Sequence, residues 1–217
     1  MLDRNIITAN TYASSRLVLE PAGLGDKVEE INRRSLEAAL TARERCGAPD
    51  VAVAGSMSHM LPMAGGADLL LLEMMSLPDL MSVLFDAVAD VSLPVWCGLS
   101  AKRNTADGAI SAWHDETVPF RDNVARAAER GFEVLGIMRT SADLVADTVP
   151  LMREQYSRPL MAYPDSGYFV MPHWQFVDTL TPREFRDFAQ DWVEQDVQIV
   201  GGCCGLGPEH ITAITDL

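Results

Sequence analysis

Basic residues are scarce. Lysine and arginine together number 17 against 31 acidic residues, a formal charge of −14 spread along the chain rather than held in a tail. Nucleic acid and anionic membrane surfaces both require a basic face, so neither is expected as a partner. Long apolar runs are also missing. No stretch reaches the roughly 18 residues a spanning helix needs, and no signal peptide opens the chain. A cytoplasmic, reducing setting is therefore the expectation. Cysteine occurs only at Cys46, Cys97, Cys203 and Cys204; in such a setting these read as free thiols or metal ligands, not disulfide staples. There is no GxGxxG opening a helix after a strand, no Gly-x-Ser-x-Gly elbow and no zinc pattern of helical histidines.

What remains is a chain of 217 residues, 48% of them apolar, which fits one domain with a sizeable core. Short apolar runs at residues 5–8, 51–54, 69–73, 94–99, 134–137, 160–163 and 198–200 read as buried parallel strands. Helical patterns lie between them, at 27–46, 77–89, 119–130, 142–153, 182–194 and 208–214. In the first, Val28, Ile31, Ala38, Ala39 and Ala42 mark one apolar face and Gly47 the stop. Thr181 before Pro182 predicts an N-cap followed by proline at the first helical position. Longer connections at 9–26, 101–118 and 165–180 read as loops, each following a strand.

Strict alternation of strand and helix implies a parallel sheet with covering helices, and sites in such folds gather at strand C-termini. Seven strands are recognisable, where a closed (β/α)₈ barrel needs eight. The pattern alone fits a (β/α) barrel or an open α/β sheet over residues 1–217; the resemblance carried by the motifs described next implies a TIM-type (β/α) barrel lacking its first βα unit. Either the chain is a shortened piece, or another copy covers the open edge in a homo-oligomer.

The most informative stretch is Gly201-Gly202-Cys203-Cys204-Gly205, directly after an apolar strand. Two thiols on a glycine-flanked turn suit a soft cation such as zinc, and glycine lets the backbone approach what is bound. The alternative is a pair of small, inert, buried thiols. The segment VGGCCGLGPEHI (residues 200–211) resembles the zinc-binding end of the homocysteine S-methyltransferase family, which includes betaine-, S-methylmethionine- and cobalamin-dependent enzymes. Thr8-Ala9-Asn10-Thr11-Tyr12, the LLLLE strand ending at Glu73, Ala54-Gly55-Ser56 and Tyr163-Pro164-Asp165-Ser166-Gly167 echo the same family.

The resemblance implies transfer of a methyl group from a donor to a zinc-activated thiol, homocysteine becoming methionine. Cys203 and Cys204 would hold Zn2+. Thr8 and Tyr12 would line the pocket, Glu73 would bind the substrate ammonium, and Asp165 would orient the amino acid. Two departures matter. Asp165 stands where the family has asparagine, and Arg139 falls where the family has its third zinc-binding cysteine. Arginine keeps its proton and cannot be a ligand, although it can clamp a carboxylate. A third ligand would then have to come from elsewhere, with His173, Tyr12 and, more remotely, Cys97 as candidates. His59 and its neighbouring methionines would pack under a loop or line a donor channel. The competing reading is a non-catalytic or metal-free binding relative.

Overall fold

The structure is a computed structural model that describes residues 5–11, 14, 16–57, 67–170 and 175–217. Tyr12, His59 and His173 lie outside them. The elements in chain order are β1 (Ile6–Thr8), α1 (Arg16–Leu19), α2 (Val28–Arg45), β2 (Ala52–Met57), β3 (Leu69–Met75), α3 (Pro78–Ala87), β4 (Val95–Leu99), β5 (Ala101–Arg103), β6 (Ile110–Ala112), α4 (Phe120–Arg130), β7 (Val134–Ser141), α5 (Ala142–Arg153), β8 (Leu160–Asp165), β9 (Tyr168–Val170), β10 (Gln175–Val177), α6 (Pro182–Glu194), β11 (Ile199–Val200) and α7 (Pro208–Ala213). Seven strands share one sheet in the order β1-β2-β3-β4-β7-β8-β11. They are the seven expected. Contacts divide the chain into two compact units, Met1–Glu73 with Ser82–Trp96, and Met74–Met81 with Cys97–Leu217.

In the first unit β1, β2 and β3 pair in parallel, with Thr8 opposite Ala54 and Met57 opposite Leu72. Ala9, Leu36, Val53 and Ala67 form a small buried cluster, joined by Ile7, Ala39 and Leu40. The inward face of α2 is therefore centred on Asn32 and Leu36. Ala38 and Ala42, expected on the apolar face, are exposed. Asn32 can be buried because its amide is satisfied: Nδ2 donates to Ser14 O and Val28 O, and Oδ1 accepts from the Ser14 hydroxyl. A polar residue was thus the centre of the stripe, which a count of apolar residues passes over.

In the second unit β7, β8 and β11 pair in parallel. The helices here bury faces at i, i+3, i+4 and i+7 spacing, such as Phe120, Asn123, Val124 and Ala127 of α4. On α6 the buried residues are Phe185, Ala189 and Trp192, and the Trp192 ring meets Phe185 edge-on at 6.0 Å. Thr181 caps α6 in a full capping box with Glu184, with proline at the helix start.

Two of the three expected loops carry hairpins. Within 101–118, β5 and β6 pair antiparallel, and within 165–180, β9 and β10 do so. Each strand is three residues long, too short for alternation to register in the sequence. The connection at 9–26 holds the single turn α1.

Candidate metal centre

Main-chain pairing in the second unit brings Cys203 and Cys204 to the tip of β8. The ladder does not stop where β11 ends: Gly201 N–H donates to Ala162 O, Cys203 N–H to Pro164 O, and Ser166 N–H to Cys204 O, all at 2.9 Å. The glycine after the pair is obligatory. Gly205 has φ +77°, and a Cβ there would lie 2.0 Å from Ser166 O. The far side of the turn is held by buried His210. Its Nδ1 accepts from Gly207 N–H (3.0 Å), so Nε2 carries the proton and donates to Leu180 O at 2.8 Å. His210 is thereby a scaffold residue.

The two sulfurs are 3.7 Å apart. Two Zn–S bonds of about 2.3 Å meeting at a tetrahedral angle place their sulfurs about 3.8 Å apart, so the pair fits zinc as it stands. One oxygen of Asp165 completes a group of three donor atoms that all lie within 4.8 Å of one another. Asp165 Oδ1 is buried with no hydrogen-bond partner, a cost that a cation would remove. Of the described residues, only these three form such a group. Cys97 does not join it. That thiol is wholly buried in β4, and burial alone pushes its pKa up.

The Cys203 thiol donates to the Cys204 sulfur, which with burial and the Asp165 charge holds Cys203 up, while the same bond brings Cys204 down. Burial raises the Asp165 carboxyl against the pull of the Cys203 thiol, Arg139 and the Cys204 N–H.

Arg139 sits at a break in the β7–β8 register, between Met138 and Ser141. Its φ of +42° is uncommon for a residue with a side chain. A bulge of this kind re-aims a side chain. The guanidinium lies 5.5 Å from the centre of the Trp113 ring. It acts electrostatically on Asp165, Cys204 and His114, and its buried Nε has no hydrogen-bond partner.

In the first unit, Glu73 stands near the end of β3 and accepts a short hydrogen bond from the Ser56 hydroxyl at the end of β2. Burial raises its pKa, and the Ser56 bond partly opposes that. The Ala54-Gly55-Ser56 motif gave no sign of this partner. Thr11 hydrogen-bonds Ser56 O at 3.1 Å, and Thr8 is exposed at the last position of β1.

A model of the homocysteine S-methyltransferase family matches residues 2–62 and 59–217. The chain belongs to this family. Among its relatives, a selenocysteine methyltransferase of Astragalus bisulcatus is 24% identical over 128 residues, 58% of this chain and 36% of the relative. Homocysteine S-methyltransferase YbgG of Bacillus subtilis (strain 168) is 27% identical over 126 residues, 55% and 36%. The matches thus span 36% of the length of each of these two curated relatives. The metallated form of the Escherichia coli homocysteine methyltransferase MmuM superposes with a TM-score of 0.73 at 19% identity, covering 98% of this chain and 79% of that one. This is a likeness of fold, the TIM-type (β/α) arrangement with seven strands present here.

For this member of the homocysteine S-methyltransferase family, Glu73 gives a pH-dependent expectation. A carboxyl whose pKa is higher folded than unfolded contributes most below the unfolded value, 4.5, and loses that contribution as pH rises through the folded one. At neutral pH the ionised group is a burden. Glu73→Gln is expected to raise the melting temperature at pH 7 and leave it unchanged near pH 4. Melting curves across that range check it; equal stability at pH 7 would contradict the assignment.

Proposed function

We propose that this chain is a thiol S-methyltransferase that methylates homocysteine or a close thiol analogue, in the manner of methionine biosynthesis. The supporting observation is the Cys203–Cys204 pair, spaced for zinc and set beside Asp165 at the tip of β8, in a chain of this family. Zinc held there would lower the pKa of a bound substrate thiol and present it as a thiolate near neutral pH. The chain's own task is placement. The substrate sulfur forms a bond to the methyl carbon while the donor's heteroatom–carbon bond breaks and the donor keeps the electron pair, which requires alignment of the three atoms.

Residue roles follow the resemblance. Glu73 accepts the substrate ammonium, and Ser56 fixes its carboxylate. Thr8 and Tyr12 border the amino acid. Arg139, a departure from the family's pattern, clamps a carboxylate; its buried, unpartnered Nε favours an acceptor there. The protein works in the cytoplasm, where reducing conditions keep both thiols free. A second copy of the chain is the partner proposed for the open edge of the sheet, nucleic acid and membrane are not expected as partners, and among the described residues no helix is long and apolar enough to cross a membrane.

One observation favours a second reading, a metal-free binding relative: the family's third cysteine position holds the cationic Arg139. A single preparation separates the two. The purified chain is expected to carry one zinc per chain and to convert homocysteine to methionine with S-methylmethionine or betaine. A protein free of zinc, unable to bind it when supplied, and inactive with both donors would leave the binding reading.

A further inference from the structure

We infer that Asp165 is the third protein ligand of the metal centre, moving from β7 to β8 the negative charge that Arg139 takes away. This inference rests on the zinc reading above and reassigns Asp165 from the amino acid to the ion.

Four observations carry it. The register of the second unit is the first: Cys203 N–H bonds Pro164 O and Ser166 N–H bonds Cys204 O, so Asp165 is bracketed by the two cysteines' own main-chain bonds. The second is spacing, since one carboxylate oxygen and both sulfurs lie within 4.8 Å of one another, compatible with Zn–O of about 2.0–2.2 Å and Zn–S of about 2.3 Å. The third is want of a partner. Oδ1 is buried and has no hydrogen bond; the Cys203 thiol and Cys204 N–H that act on the carboxyl leave that oxygen free for a cation.

Charge is the fourth. Two thiolates and a carboxylate around a divalent ion leave one negative charge, as three thiolates would. Arg139 acts electrostatically on both Asp165 and Cys204, so it neutralises that remaining charge instead of opposing the ion. The asparagine that the family carries at this position would offer an oxygen but no charge. The loss of a thiolate at 139 and the gain of a carboxylate at 165 thus form one exchange. Three protein donors leave the fourth position of a tetrahedral ion to a substrate sulfur.

Cobalt(II) in place of zinc provides a readout independent of turnover, because thiolate-to-cobalt charge transfer scales with the number of thiolates. The full chain is titrated with cobalt(II) and zinc as wild type, Asp165→Asn, Asp165→Cys and Cys203→Ser. Asp165→Asn is expected to weaken cobalt binding by more than about 100-fold, beyond the loss typical of an outer-shell partner, while the saturated charge-transfer intensity stays at two thiolates. Asp165→Cys should restore tight binding and raise that intensity by about half, the step from two thiolates to three. A structural aspartate would give no such step. If Asp165→Asn binds as tightly as wild type, or Asp165→Cys adds no charge transfer, Asp165 is not a ligand, and the zinc reading survives provided Cys203→Ser still abolishes binding. If wild type itself binds neither ion, the zinc reading falls, and this inference with it.

Discussion

Gly205→Ala is expected to destabilise the chain by about 2–5 kcal/mol. Two independent effects add. A side chain at φ +77° meets the left-handed penalty of about 1–2 kcal/mol, and its Cβ would lie 2.0 Å from Ser166 O, a main-chain atom with nowhere to go. Forcing that contact apart costs a further 1–3 kcal/mol, roughly the range for overpacking. Gly108→Ala is the internal control. Gly108 has φ +74° but open space where the methyl would stand, so only the conformational part applies, about 1 kcal/mol after the gain from a stiffer unfolded chain. Urea unfolding of the two variants measures the difference. Equal losses would mean that the Gly205 turn yields freely and does not fix the cysteines against β8. Because the displaced atom belongs to Ser166, whose N–H holds Cys204 O, Gly205→Ala should also weaken metal binding.

Cys203→Ser and Cys204→Ser are each expected to lower zinc affinity by more than about 100-fold, exceeding the usual 10–100-fold cost of an outer-shell change, and to abolish methyl transfer. Serine keeps the size but not the soft, ionisable sulfur. The losses should not add, since a site missing one thiolate is already open; the double variant should be no worse than either single. Cys46→Ser is the control, an exposed position at the C-terminal end of α2, and should retain zinc and activity. Zinc content and methionine formation on the four proteins decide the matter. Retention of one zinc per chain in either active-pair variant would remove the sulfurs from the site.

Local signals were legible where the physics is local. The apolar runs announced all seven strands of the sheet, Gly47 and Thr181 marked a helix end and a helix start, and the adjacent cysteines marked two of the three atoms of the possible metal-donor group. What escaped notice depends on register between distant segments. Asp165 read as a residue that orients the amino acid, because only the pairing of β8 with the chain after β11 sets its carboxylate against the sulfurs. Ser56 and Glu73, 17 residues apart, meet because β2 and β3 end side by side. Arg139 was recognisable as a non-ligand from its chemistry alone. Its positive φ, the register break in β7 and the Trp113 ring beneath it were not.

The hydrogen bonds that continue past β11 hold the chain on both sides of the donor atoms. For the zinc proposed here the arrangement would be a chelate built in advance, unlike small zinc modules whose chains collapse once stripped. A chelator should therefore remove the ion and leave a folded shell, ready to reload without refolding, so that occupancy follows the free-ion level around the protein instead of being sealed in when the chain first folds.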